Sequence, residues 1–392
     1  MPCTPDTSCA TIPTDQSYTA TPNLQAPSPT IHYASMGWVG YIFLRSNKLG
    51  ANNILRVTSA NVNLKQEISR PDVLDGRIDK TVYQPGPKMV DGSISMPVVI
   101  DVQDPDSFNG CPNISDLTNN SVAGSVLNNL WCWTTARGNH GRQLYDDVNF
   151  DIRYANSTAY IFDNTICNTL ALSVTQGDMV KLDLNVIGRG RQRPTDPTKE
   201  PIISDFLSPA RVLTWNDVTV NGVQGCGSSN TDLFFSNSIR SWSLNINNNA
   251  ERFFSLNGSL YPIDVVFGKR EITGSMTLLG VQERLRKLAD TNQDRFTEKN
   301  ELRFSFHVGE STEVNTPNGI AFTSRDWKAG MAVPPGNPIF YRKLTAVVFQ
   351  IESVELRNSV LESSVEYFGM ANDQTNYEAI SASSSCSFPS WS

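Results

Sequence analysis

The sequence predicts a mainly β fold with short helices, in which one domain is written twice. Three observations predict it: a polar surface poor in charge, apolar residues that alternate with period two, and a repeat separated by 182 residues. Charged residues make up 18% of the chain, below the usual quarter, so the wet surface leans on Asn, Ser and Thr. Sheets with one solvated face suit that composition better than long charged helices. A chain of 392 residues has length for roughly two to three domains and a substantial core.

The repeat appears when the chain is slid against itself by 182 positions. Gly76, Gly86 and Gly92 land on Gly258, Gly268 and Gly274 without a gap, with seven identities in the 39 positions from 60 to 98. The pattern of residue types adds more than the identities do. Ala60, Val62 and Leu64 alternate with Asn61, Asn63 and Lys65; Trp242, Leu244 and Ile246 alternate with Ser241, Ser243 and Asn245. Both runs read as half-buried strands in one register. The next strands follow Gly92 and Gly274: Ile94, Met96 and Val98 in one, Met276 and Leu278 in the other. Downstream, Val180, Leu182, Leu184 and Val186 lead to Gly188, as Leu361, Val365 and Tyr367 lead to Gly369.

The remaining elements fall between these strands. Lys65–Gly86 and Asn247–Gly268 are long for hairpin loops, and loops of that length are usually functional. The recurring glycines, Gly92 and Gly274 included, mark expected turns or positive φ. A helix is expected at Val281, Leu285 and Leu288, with charged residues between them. Another is expected at Val122, Val126, Leu127 and Leu130, leading into Trp131–Cys132–Trp133. Residues 189–209, rich in Arg and Pro, read as a linker. The expected organisation is an N-terminal tail (1–29), a first copy (30–188), the linker, a second copy (210–370) and a C-terminal tail (371–392).

Composition narrows the function classes. The net charge of −7 lacks the positive footprint of a protein that grips nucleic acid, while it suits a surface that nucleic acid slides past. His32, His140 and His307 form no paired-histidine motif, and no GxSxG, phosphate-cradling or dinucleotide signature is present. The expectation is therefore no catalytic, cofactor or metal site. Asp290, Asn292, Asp294, Glu298 and Glu301 match calcium-loop spacing, but Arg295 occupies the turn where Gly is needed, and a strand pattern follows. Arg189, Arg191 and Arg193 read as a linker pairing with neighbouring carboxylates, and the tryptophans Trp131, Trp133, Trp215 and Trp242 as core or subunit contacts. None of the seven cysteines lies in a CxxC pair. Cys3, Cys9 and Cys386 sit in the Ser-, Thr- and Pro-rich tails, either as free thiols or as intersubunit disulfides. No signal peptide is legible at the N-terminus, and no apolar run reaches membrane-spanning length.

The stretch from Val62 through Pro71, Gly76 and Gly86 to Gly92–Ser93–Ile94, and the stretch Phe267–Gly268–Lys269–Arg270–Glu271–Ile272–Thr273–Gly274, resemble the tube domain of bacteriophage tail tube proteins. The resemblance spans about Thr30 to Met370 in two copies. It implies tandem tube-domain β-sandwiches, each flanked by a helix, that close a β-barrel on oligomerisation. The implied protein is a structural virion component forming stacked rings, a conduit for DNA ejection, assembled in the host cytoplasm. Two-domain members imply a trimeric, pseudo-hexameric ring, with a hexameric ring as the alternative. Sheath, baseplate and tail-completion proteins are the other implied partners; DNA passes without specific binding, and no membrane is involved. The long loops then reach the adjacent ring, with Arg70, Pro71, Asp72, Gly76, Asp79, Arg252, Gly258 and Tyr261 as candidate contacts. Asn61, Asn63, Ser241, Ser243 and Asn245 become candidates for the lumen. The rivals are a tandem β-sandwich that stacks sugars on Tyr145, Tyr154 and Tyr160, and a tail-terminator or baseplate ring of the same fold.

Overall fold

The computed structural model describes residues 41–46, 51–69, 84–101, 122–136, 147–154, 158–192, 210–224, 231–234, 236–256, 258–280, 283–290, 300–307, 313–316, 319–322, 338–344, 347–357 and 360–369. Its first half contains β1 (Tyr41–Ser46), β2 (Ala51–Leu55), β3 (Ser59–Ser69), β4 (Gln84–Pro97), β5 (Val99–Asp101), α1 (Val122–Thr135), β6 (Asn149–Tyr154), β7 (Thr158–Asp163), β8 (Ile166–Thr175), β9 (Lys181–Gly188) and β10 (Gly190–Gln192). The second contains β11 (Ala210–Val212), β12 (Val218–Gln224), β13 (Thr231–Phe234), β14 (Ile239–Asn247), β15 (Glu251–Phe253), β16 (Asp264–Val266), β17 (Glu271–Leu279), α2 (Glu283–Asp290), β18 (Asn300–His307), β19 (Glu313–Thr316), β20 (Gly319–Phe322), β21 (Pro338–Leu344), β22 (Val347–Arg357) and β23 (Val360–Gly369).

One eight-stranded antiparallel sheet organises the molecule, in the order β3-β4-β9-β8-β14-β17-β23-β22. Its two halves run in the same sense: β14, β17, β23 and β22 follow one another as β3, β4, β9 and β8 do. The five- and four-stranded sheets also correspond, β2-β1-β6-β7 (extended by β10) with β13-β12-β18-β21. Register repeats as well. Val62 faces Gly92 and Gly92 faces Val186, while Leu244 faces Gly274 and Gly274 faces Tyr367.

Alternation gives the large sheet one apolar face. Val62, Ile94, Leu184, Leu172, Leu244 and Met276 join a single core with Leu44, Phe150 and Phe162 of one small sheet and Phe304, Phe306 and Phe340 of the other. The helix α1 lies between the halves. Trp131 meets Phe304 and Phe340 edge-on at 5.7 and 5.8 Å, and Trp242 packs on Phe304 at 5.1 Å. Trp131, Trp133 and Trp242 are all buried, whereas Trp215 is exposed.

Two sequence expectations change in detail. Residues 190–192, assigned by composition to the linker, form β10 against β7. Gly92 and Gly274, expected at turns, sit in mid-strand on the apolar face. A Cβ on Gly92 would lie 2.5 Å from a Val62 methyl; one on Gly274 would lie 2.2 Å from the Tyr367 ring and 2.3 Å from the Ser243 carbonyl oxygen. Close approach of a neighbouring side chain, not turn geometry, demands glycine there. Gly258, by contrast, does hold a positive φ of 77°.

The Tyr367 hydroxyl donates to the Ser243 carbonyl at 2.5 Å, so the ring has no free path out of the way of an added methyl. Gly274→Ala is expected to cost about 1–3 kcal/mol, the usual range for overpacking. Ser275→Ala, on the opposite face, is expected to stay within about 0.5 kcal/mol, the range of surface changes. Urea denaturation of the two variants checks the difference.

Candidate functional site

Among the described residues, the surfaces with no structural account inside one chain are the two edges of the large sheet, its polar face, and the apolar tip of the loop between β14 and β17. Each arises from the strand pattern. The face opposite the core carries short polar groups in continuous rows: Ser173, Ser243 and Ser275 are direct neighbours across β8, β14 and β17, as are Thr175, Ser241 and Thr277. Ser243 and Ser275 share a 2.9 Å hydrogen bond, and the Ser241 hydroxyl donates to Thr277 at 3.0 Å. All five residues singled out as lumen candidates, Asn61, Asn63, Ser241, Ser243 and Asn245, stand on this face. Its exposed charges include Asp183, Glu271 and Glu366 against Lys65 and Lys181. Lys181 is paired with Asp178 at 2.6 Å, and that contact holds the Asp178 carboxyl below its usual range.

At the centre of the sheet, β8 and β14 join the halves through seven residue pairs, from Ser241 opposite Thr175 to Asn247 opposite Thr169. Asn248 continues this seam and is fully buried. Its Nδ2 donates to the Thr134 and Cys167 carbonyls, both at 2.9 Å, while its Oδ1 accepts from Arg270 Nε at 3.1 Å. Arg270 Nη2 donates to the Thr135 carbonyl at 2.5 Å. The second half thus caps the last turn of α1, where helix carbonyls lack intrahelical partners and a cation is favoured. Nearby, Arg342 donates to Asn128 and lies 4.4 Å over the Phe340 ring. Burial pushes its guanidinium down to about 10, leaving it charged at neutral pH.

The outer edges differ from this seam. Leu172 is 0% exposed in β8, under β14. Matched through their partners Leu182 and Ser363, the corresponding residue of β22 is Val354, which is 47% exposed. Leu356, two positions on, is 72% exposed, whereas Val174 in the corresponding place is 9%. At the other edge, Ala60 and Leu64 are only half-buried, while Trp242 and Ile246 at the matching positions of β14 are buried.

The loop after β14 folds back over the first half. Lys88 N donates to the Leu260 carbonyl at 2.8 Å, and Arg252 Nη2 donates to the Val90 carbonyl at 2.8 Å and pairs with Asp91. Val265 and Phe267 pack on Ile166 and Ile187. Tyr261 is half-buried beneath Lys88, whose Nζ is 5.2 Å from the ring. Of the loop candidates, Arg252 and Tyr261 are therefore engaged within the chain, and Gly258 lies open at the tip. Sequence reasoning missed the apolar residues of this loop. Phe253, Phe254, Leu256 and Ile263 are exposed, Leu256 completely. The signal was available in Phe253–Phe254–Ser255–Leu256, which is apolar without the alternation of a buried strand.

Other candidates resolve individually. Arg70, Pro71, Asp72, Gly76, Asp79, Cys3, Cys9, Cys386, His140 and Tyr145 lie outside the described residues. Glu301 binds Arg303 at 2.7 Å and Lys343 at 3.0 Å, and Ser305 meets His307 Nε2 at 2.8 Å within the second half. Arg189 donates to the Pro262 carbonyl at 3.3 Å, and Arg191 covers one face of the half-buried Tyr160 ring at 4.5 Å. Cys132 is disulfide-bonded to a residue outside the described set, and Cys167 is a buried thiol pushed up to about 12 by desolvation. No described helix is long and apolar enough to cross a membrane.

The Asn248 seam generates a direct test. Asn248→Leu removes the acceptor of Arg270 Nε and the donor to the Thr134 and Cys167 carbonyls, each buried polar group left alone costing about 1–3 kcal/mol. A clear loss of denaturation midpoint is expected for Asn248→Leu, and little change for the half-buried neighbour variant Ala250→Ser.

The sequence model of a family described as phage tail tube protein matches residues 120–338, more than half of the chain and both sides of the β8–β14 seam. Comparison with curated proteins gives no match.

Proposed function

The chain belongs to the phage tail tube protein family, a structural component of the virion tail that self-assembles, and from that premise we propose how it closes a ring and what the ring is for. The observation that carries the proposal is the head-to-tail seam. In the spatial order of the large sheet, the last strand of the first half, β8, pairs with the first strand of the second, β14. The last strand of the second half, β22, and the first strand of the first, β3, form the outer edges of the same sheet. Repeating the seam between chains pairs β22 of one copy with β3 of the next, in the register that sets Val354 opposite Val62 and Leu356 opposite Ala60.

A heterologous contact of this kind closes into a ring or runs on as a filament. Closure removes both edges, the standard remedy for unpaired strand groups. Three chains contribute twenty-four strands, and at about 4.8 Å spacing and a tilt near 40° they enclose roughly 50 Å between opposite backbones. That admits a DNA duplex, whereas six chains would double the width. We therefore favour a trimeric ring of two tandem tube domains per chain over a hexameric one. The polar face lines the channel in this arrangement, and short neutral side chains with excess carboxylates let phosphates pass without binding. The rings stack through the loops 65–86 and 247–268, with the exposed Phe253, Phe254, Leu256 and Ile263 as the apolar contact. Tails and outer loops remain for sheath, baseplate and completion proteins.

Electron microscopy of the purified protein should show tubes with a central channel. Val354→Asp with Leu356→Asp is expected to leave folded, monomeric chains, since a charge opposite Val62 and Ala60 opposes edge pairing. Isolated rings from the wild type would point to a terminator or baseplate ring, and uniform monomers at high concentration would overturn the ring.

The stacking contact is tested separately. Leu256→Ser with Phe254→Ser should yield single rings that no longer stack, scored by ring-to-tube ratio in the same images. Unaltered tubes would remove this loop from the inter-ring contact.

A further inference from the structure

The helix cap at the internal seam has a counterpart waiting at the outer edge. Asn248 and Arg270 cap α1 from the second half of the chain. Subtracting the repeat of 182 from these two positions gives Gln66 and Lys88. The chemistry is retained at both: a side-chain amide and a long cation. Gln66 and Lys88 are moreover direct cross-strand partners in β3 and β4, at the free edge of the sheet. Gln66 is exposed and Lys88 half-buried, over Tyr261. The helix of their own half, α1, already has its last turn capped by Asn248 and Arg270, so their chemistry is not needed there.

We propose that Gln66 and Lys88 of one chain cap the C-terminal turn of α2 in the adjacent chain of the ring. This rests on the ring reading above and adds to it a second contact, away from the paired strands. The geometry follows from the seam. The helix α1 packs on β8, as α2 packs on β22. Within the chain, β14 brings Asn248 to the end of α1; between chains, β3 of the neighbour brings Gln66 to the end of α2 by the same pairing. The exposed carbonyls of a last helical turn accept from amide and ammonium donors, and the negative end of the helix favours the cation. That last turn ends at Asp290. The pair then contributes to assembly and little to the folding of a single chain. It also fixes the register of β22 against β3, which backbone pairing alone leaves open to slippage.

The test uses full-length chains and two cysteine pairs. Val62→Cys with Val354→Cys reports the strand seam, and Lys88→Cys with Ala289→Cys reports the cap; isotope-mixed chains and mass spectrometry of the oxidised product identify links between chains. The proposal expects both links. A strand link without the cap link overturns the cap and leaves the ring standing, and absence of both in a monomeric protein overturns the ring reading and the cap with it. Lys88→Glu supplies the second measurement. It is expected to raise the concentration for half-assembly about tenfold or more, as losing one charge-assisted contact implies, with the circular-dichroism melt of the monomer unchanged. Lys88→Arg should retain assembly. Equal assembly by Lys88→Glu and the wild type would refute the cap.

Discussion

An antiparallel sheet cannot end without leaving a row of peptide groups unpaired, and the rest of this molecule is arranged around that constraint. Its eight strands form one continuous ladder across both halves, but the ladder has two ends, β3 and β22. In the centre the same two kinds of edge meet as β8 and β14, and the solution there is worked out in full: a strand pair, a buried aromatic cluster and a capped helix. The chain therefore contains a solved copy of the problem its outer edges pose. A head-to-tail seam can be repeated by identical subunits through a single kind of contact, because each copy brings one edge of each type.

The strand pattern and the 182-residue offset were legible because both are one-dimensional. Alternation marked β3, β14, β9 and β23, and the glycine spacing carried the offset between halves. Gly92 and Gly274 were found for an incomplete reason. Their need for glycine comes from Val62 and Tyr367 crossing over them, and such contacts depend on which strands become neighbours. The helix at 122–135 was visible only up to Leu130, since Thr134 and Thr135 are poor helix formers that stay helical by bonding back to the Leu130 and Trp131 carbonyls and by packing inside the core. Residues 190–192 looked like linker because a three-residue strand has no period to detect.

The assembly surfaces were half legible. The five lumen candidates share one face because period two assigns faces once a strand is recognised. The edges were invisible. Nothing in Val354 or Leu356 distinguishes an exposed residue of β22 from the buried Leu172 and Val174 of β8; only strand order does. Asn248 and Arg270 were hidden for the same reason. An Asn and an Arg in a polar loop acquire meaning only when the sheet carries them to the end of a helix that precedes them by more than a hundred residues.

The two seams also differ in a way that suits their different histories. The internal one forms once, within a chain, and can bury Trp242 and Ile246 at the seam because its partner strand is always present. In the proposed ring the outer edge meets water before assembly, and its matching positions are Ala60 and Leu64, with Gln66 and Lys88 beyond them. Smaller apolar residues and a cation lower the risk that free edges pair indiscriminately, at the cost of a weaker seam per residue. The proposed ring would compensate through closure, since no subunit leaves a closed ring without breaking two seams at once. Under the proposed ring, two halves in one chain let alternate seams differ, the internal one a permanent core and the outer one a surface that waits for its partner.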